Sequence, residues 1–309
     1  MESISILLPV FRPSISWLKE QLESIAAQTF KSFRCIVSHD GPIASLVSDQ
    51  IYSVLPDTRF KLVLNSNHLG TYRHVDYLIS EFGLHTMFFA LCDQDDVWLP
   101  KKLESQLSKF AHSDISAVSN NGFIVDDQLG SIRSTTTLDW FGISHEFQRF
   151  GSVRNQLTGA SALFRSDRFT HAVPFPEKIG DPVHDHWLYL AAIATGGVCF
   201  DAEPLWLYRQ HDGNQIGATV NRRQLSRLAR GIQKMIDIVK NRYILKNDPV
   251  INQGRVFLNE ASERWASDVL DSDVLCRELN RTERLGLLRP KVLIGSSFES
   301  LRVAISQQK

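Results

Sequence analysis

The sequence predicts an α/β fold, a mostly parallel central sheet with helices on both faces, followed by a helical C-terminal extension. Three observations carry this. Short apolar runs alternate with segments of helical spacing from Ser3 to Leu91. Polar residues and glycines gather where those runs end. From Asn221 the composition shifts to basic and amphipathic. The expected division is a domain over 1–220 and an extension over 221–309.

Ser3–Val10 reads as the first strand and ends in Pro9-Val10-Phe11-Arg12-Pro13. Trp17, Leu18, Leu22, Ile25 and Ala26 keep one helical face apolar, which predicts a helix over Trp17–Ala27. Phe33–Ser38 is the second strand, closed by His39-Asp40-Gly41-Pro42. A helix is expected over Ile51–Leu55, then a strand over Phe60–Leu64 that runs into Asn65-Ser66-Asn67-His68-Leu69-Gly70. His74–Phe82 is helical in spacing, and Met87–Leu91 is the uncharged run of a strand buried on both faces. Right-handed crossovers would bring the strand ends at 9–12, 38–41, 65–70 and 92–96 to one edge. One site built from four loops is the economical outcome.

Farther on, strands are expected at Ala117–Asn121 and Gly122–Val125, with a less regular stretch over Ser131–Arg154. Thr158-Gly159-Ala160-Ser161 leads into a strand at Ala162–Phe164, and His184-Asp185-His186-Trp187 opens the apolar helix Leu188–Ala194. Strands follow at Val198–Phe200 and Leu205–Arg209, the latter running into Gln210-His211. Over 222–243, apolar residues at helical spacing face Arg222, Arg223, Arg227, Arg230, Lys234, Lys240 and Arg242. That helix either touches a membrane surface peripherally or packs on the preceding domain with a solvated basic face.

The chain has 309 residues, a formal net charge of zero, 43% hydrophobic and 22% charged residues. Such a balance is ordinary for a globular protein and gives no electrostatic footprint for nucleic acid. No apolar run approaches the roughly 20 residues that span a bilayer. The start, MESISILLPVF, lacks the layout of a secretion signal and reads as a strand. Cys35, Cys92, Cys199 and Cys276 form no CxxC pair, and the first three fall in or beside predicted strands as small apolar residues. A reducing, cytoplasmic setting is expected, peripheral at the inner face of the membrane if the basic helix binds there.

Chemistry concentrates at the end of the fourth strand, where Asp93, Asp95 and Asp96 follow Phe88–Cys92 with only Gln94 among them. Three carboxylates in four residues repel one another and call for a counter-charge, most simply a divalent cation. In an open α/β sheet this edge is where ligands bind. The plainer alternative is a solvated acidic turn in which Asp96 caps the next helix.

Taken in order, Pro9-Val10-Phe11, Gln28-Thr29-Phe30, Asp40-Gly41, Asn67-His68-Leu69-Gly70, Asp93-Gln94-Asp95-Asp96-Val97-Trp98, Thr158-Gly159, His184-Asp185-His186-Trp187 and Tyr208-Arg209-Gln210-His211 resemble glycosyltransferase family 2 in its rhamnosyltransferase-like branch. The resemblance spans roughly residues 3–217. It implies the GT-A fold and an inverting, metal-dependent glycosyltransferase. The donor would be a nucleotide sugar (dTDP-, UDP- or GDP-linked), the ion Mn²⁺ or Mg²⁺, and the acceptor a saccharide or lipid-linked saccharide of bacterial surface polysaccharide synthesis. Residue by residue, it implies that Asp40 contacts the base, that Pro9, Val10 and Arg12 lie near base and ribose, and that Arg73 faces the diphosphate. Asp93 would stand near the ribose, Asp95 and His211 at the metal, Asp185 as catalytic base, and Gly159 and Trp187 near the acceptor. The chain departs from the family pattern at His39 and Pro42.

Alternatives stand beside these roles. Asp185 could be a helix N-cap, Trp187 a packing residue, and His184, His186 and His211 a zinc set. A nucleotidyltransferase would share the metal carboxylates but needs a Gly-rich basic loop, and Pro9–Pro13 offers only Arg12. A catalytically degenerate transferase, acting as a saccharide-binding or scaffold subunit, is the alternative outside catalysis.

Overall fold

The computed structural model describes residues 3–111, 115–136, 155, 157–177 and 184–211, together with 253, 256–257, 260–261 and 263–265. The sequence's first half folds as a wound α/β unit. It comprises β1 (Ile4–Val10), α1 (Ile15–Ala26), β2 (Phe33–His39), α2 (Ser45–Ser53), β3 (Phe60–Leu64), α3 (Gly70–Leu78, prolonged by a π-helical turn at Ile79–Gly83) and β4 (Phe88–Leu91). These four strands pair in parallel in the order β3-β2-β1-β4. The helix α2 starts earlier than its apolar spacing suggests, because only Ser48 and Ile51 are buried while Leu46 and Tyr52 stay exposed.

Beyond β4 come β5 (Val97–Trp98), α4 (Lys102–Lys109), β6 (Ala117–Val125), β7 (Ser131–Thr136), β8 (Ala162–Arg165), α5 (His184–Thr195) and β9 (Val198–Arg209). The sheet continues as β4-β8-β6-β9-β5, with β7 paired on β6, to make nine strands. Strand β8 runs antiparallel to both β4 and β6, which ends the parallel half.

Two breaks expected from sequence are absent, each for a packing reason. Gly122 looks like a strand end, yet β6 runs through it because a side chain there would meet the Trp206 indole at 2.5 Å. Pro204 likewise sits inside β9. Partner residues step from Asn120↔Asp201 to Asn121↔Pro204, so Ala202 and Glu203 form a bulge that absorbs the proline.

The core lies on both faces of the sheet. Along β1, Leu7 joins the layer under α3 and α5 while Ile6 and Leu8 join the layer under α1 and α4. Phe257 and Ala261, from the expected extension, are buried in the first layer, where Phe257 packs against Tyr72 and Trp187. That part of 221–309 is therefore continuous with the core of the sheet domain. The basic segment 222–243 and the stretch 137–154 lie outside the described residues. Among the described residues, no helix is long and apolar enough to cross a membrane.

Candidate active site

The carboxyl ends of β1, β2 and β4, the start of α5 and the end of β9 come side by side. At the end of β1, Arg12 adopts φ 46°, a left-handed backbone rare outside glycine, and its guanidinium lies 5.0 Å from the Phe11 ring centroid. Gln94 holds this loop to the acidic loop twice. The Phe11 N–H donates to Gln94 Oε1 at 3.0 Å, and Gln94 Nε2 donates to the Phe11 carbonyl at 3.2 Å. Pro9 belongs to the paired strand, while Val10 is buried and its carbonyl accepts the Asp40 N–H at 2.9 Å. Val10 thus supports the site from beneath rather than lining it.

Asp40 has a different task from the one the resemblance implies. Its oxygens accept the backbone N–H groups of Leu69 at 2.7 Å and Gly70 at 2.9 Å, and His68 Nδ1 lies 2.9 Å from Oδ2. The carboxylate caps α3 from outside and is only 4% exposed. Both of its oxygens are engaged within the protein; what it holds in place is the exposed His68, stacked on the exposed Phe11 at 4.8 Å. Gly41, at φ 95°, allows this close approach.

Arg73 is also corrected. Its guanidinium donates to Asp76 at 3.1 Å and to the carbonyls of Phe175 at 2.8 Å and Pro176 at 3.1 Å. It clamps the loop before α5 instead of facing a diphosphate. Trp187 is fully buried, with its indole N–H on the Ala172 carbonyl at 2.8 Å, so it cannot stack on an acceptor sugar. Packing between Phe257 and Trp265 is its role.

Asp93 feels the charges of both Asp95 and Asp185. Asp93 is exposed. Its carboxyl is pushed up to about 7, by desolvation among the surrounding groups, by Asp95 and by Asp185, with His184 opposing. Asp95 Oδ2 lies 2.6 Å from His211 Nε2, and the His211 ring faces Trp17 at 4.6 Å. Asp96 is not the cap of α4, a position held by Lys101. It is 1% exposed, accepts the Arg209 N–H at 3.0 Å, and burial followed by Asp93 and Asp95 raises its pKa well above its ordinary value.

Asp185 stands in the first turn of α5, where the helix N-terminus favours a negative charge. His184 Nε2 lies 2.8 Å from Asp185 Oδ1, yet that oxygen has no aligned hydrogen-bond donor. The pair is therefore a close charge contact rather than a directed hydrogen bond. Burial lowers the affinity of His184 for a proton, but Asp185 and Asp93 outweigh it and the pKa rises. Gly159 opens a 3₁₀ turn (Gly159–Ser161) against this pair, and a Cβ there would fall 2.4 Å from Asp185 Oδ1. The turn is held from behind by the buried Lys102, whose Nζ donates to the Ser161 carbonyl at 3.2 Å.

The three histidines weighed as a zinc set do not assemble: His186 packs edge-on against Phe257, and the others attend separate carboxylates. Among the described residues, no three metal-ligating side chains form a site by themselves. Sequence reasoning missed the roles of Gln94 and Arg209, which look like surface residues in one dimension, and of Trp17, which reads only as part of a helix's apolar face. It treated His184 only as a zinc candidate. The sole signal for Arg209 was its place within Tyr208–His211.

Comparison with known proteins fits this architecture. Residues 5–170 match the family model described as "Glycosyl transferase family 2". A dTDP-rhamnosyl transferase, RfbG of Shigella flexneri, is 22% identical over 245 residues, covering 74% of this chain and 78% of that protein. The structure of S. aureus TarS (residues 1–349) in complex with UDP-GlcNAc superposes with a TM-score of 0.60 at 11% identity, covering 98% of this chain and 79% of that one. The mannosyltransferase PcManGT of Pyrobaculum calidifontis, in complex with GDP-Man and Mn²⁺, gives a TM-score of 0.51 at 13% identity, covering 99% and 79%. At those identities the structures share the fold alone, which is the GT-A fold. With more than half its length matched and a GT-A sheet whose acidic loops converge, the chain belongs to glycosyl transferase family 2.

Proposed function

We propose that this glycosyltransferase is inverting and metal-dependent, moving a sugar from a nucleoside diphosphate to a saccharide or lipid-linked saccharide acceptor in bacterial surface polysaccharide synthesis. The observation that carries it is the gathering of acids from segments far apart in sequence, Asp95 2.6 Å from His211 and Asp185 2.8 Å from His184, with Asp93 feeling the charge of both. Similarity to a dTDP-rhamnosyl transferase and to folds solved with UDP-GlcNAc and GDP-Man supports a dTDP-, UDP- or GDP-linked donor.

The residues present fit a divalent cation. A carboxylate oxygen and an imidazole nitrogen, Asp95 and His211, already stand 2.6 Å apart, with the Asp93 carboxyl close enough to feel the charge of Asp95. Two protein donors suit Mg²⁺ or Mn²⁺ in the mode where substrate phosphates complete the coordination. When bound, the ion neutralises charge on the departing diphosphate, a stabilisation of several kcal/mol.

The chain's own groups do the rest. Phe11, Arg12 and His68 form the exposed rim against which a nucleotide would lie. Asp185 accepts the proton of the acceptor hydroxyl as that oxygen bonds to the anomeric carbon from the side opposite the diphosphate. The anomeric C–O bond to phosphate breaks, and the electron pair leaves with the nucleoside diphosphate. His184, beside Asp185, steadies its negative charge before the proton arrives.

A panel of dTDP-, UDP- and GDP-sugars, screened by thermal shift and donor hydrolysis with and without Mn²⁺, tests the proposal. At least one donor is expected to bind only with metal, and Asp95→Ala to lose that dependence. Metal-independent binding of every donor, equal in wild type and variant, would refute it.

A further inference from the structure

Arg209 ends β9 and lies two residues before His211, yet its side chain plays no part in the chemistry above. It is 1% exposed, an unusual depth for a guanidinium, whose dehydration is costly unless its donors are well matched. They are matched to three separate elements, the acidic loop among them. Nε donates to the Asp95 carbonyl at 2.7 Å, Nη1 to the Asp127 carbonyl at 2.6 Å, and Nη2 pairs with the Glu20 carboxylate. The Arg209 backbone N–H meets Asp96 Oδ1 at 3.0 Å. The guanidinium also lies 5.3 Å from the Trp17 ring centroid, and the same indole faces His211 at 4.6 Å.

One residue therefore grips the acidic loop by its main chain, and the indole it packs on also faces the histidine paired with Asp95. A lysine could supply the charge but not the fork of separated donors. We infer that Arg209 is the positioning residue of the Asp95–His211 pair, holding both donor atoms at the cation's place before the nucleotide sugar arrives. The inference rests on Asp95 and His211 being the metal pair. Supporting groups that orient ligands in this way are worth about 10- to 100-fold in metal affinity. Glu20 is the solvent-side anchor, with 44% of its side chain exposed, so it acts on the same pair more weakly.

The test uses the full chain with Mn²⁺ as probe, alone and with UDP, dTDP or GDP in turn. Free Mn²⁺ is counted by electron paramagnetic resonance, and hydrogen exchange is followed over residues 92–98. Arg209→Lys and Arg209→Gln are expected to weaken Mn²⁺ binding of the folded protein by about tenfold or more and to speed exchange in that loop, with Lys recovering little. Glu20→Gln should shift both in the same direction by about two- to threefold. A role in stability alone predicts a lower melting temperature with an unchanged Mn²⁺ isotherm, and that result overturns the inference. Should neither Arg209 variant fold, Glu20→Gln decides: wild-type Mn²⁺ affinity and wild-type exchange overturn it. Wild type that binds no Mn²⁺, or Asp95→Ala that binds as wild type does, removes the metal pair itself and the inference with it, an outcome distinct from failure at Arg209 alone.

Discussion

Replacing Gly159 by alanine perturbs the proposed base without touching it chemically. An added Cβ would stand 2.4 Å from Asp185 Oδ1, 3.2 Å from Leu91 Cδ1 and 3.3 Å from His184 Nε2. Real contacts of this kind stay above 3.0 Å and are ordinary from 3.4 Å, so the carboxylate oxygen must retreat by roughly 0.6–1 Å. It can do so by rotating its own side chain, so the expected stability loss is only about 1 kcal/mol, a melting shift of about 2–4 °C. Turnover should suffer far more, because misplacing a reacting group by about 1 Å costs about 100-fold. Steady-state kinetics with the preferred donor would show kcat down by about that factor while the donor KM stays within about threefold. A Gly159→Ala enzyme with wild-type kcat would mean that Asp185 does not have to occupy its present position, and the reasoning would fail.

Two further outcomes follow from buried groups. His74, buried and bonded through Nε2 to Ser38 Oγ and Asn65 Nδ2, is pushed down to about 4, chiefly by burial, with Asp40 opposing. Its unfolded value is near 6.5, so the unfolded chain binds more protons between the two values. The stability is fully present above that range and drains away as pH falls through it. Urea unfolding should show about 2 kcal/mol less stability at pH 5 than at pH 7.5 from this group, and His74→Gln should flatten that part of the curve. Trp187→Ala should cost about 3–5 kcal/mol by chemical denaturation, whereas Trp187→Phe, retaining most of the packing, should leave the acceptor KM unchanged. A raised acceptor KM in the phenylalanine variant would restore Trp187 as a sugar contact.

The alternation from β1 to β4 is legible because each strand is an apolar run closed by polar residues, and parallel pairing follows from the helical spacers. Topology sends the strand end carrying Asp93 and Asp95 to the edge shared with the other parallel strands, whereas Asp185, in the first turn of a helix, is singled out by the family resemblance and not by topology. The partners of the side chains are not legible. Asp40 and Arg73 carry the right charges at the right places, but backbone N–H groups and carbonyls contributed by Leu69, Gly70, Phe175 and Pro176 consume them. Periodicity says nothing about which main-chain groups a loop leaves unsatisfied. Arg209 and Trp187 fail for a related reason: a guanidinium beside an acidic loop reads as exposed, and an indole beside a proposed catalytic base reads as functional. Only the packed fold shows both to be interior.

Whether Asp185 removes the acceptor proton is best decided by comparing Asp185→Asn with wild type in single-turnover transfer, alongside calorimetry of donor binding. The amide keeps the shape and hydrogen-bonding reach of the side chain but cannot accept the proton as a carboxylate does. Donor affinity within about threefold of wild type, with transfer slowed about 10²- to 10⁴-fold, is the expected result. Transfer at the wild-type rate by the asparagine enzyme would contradict the account.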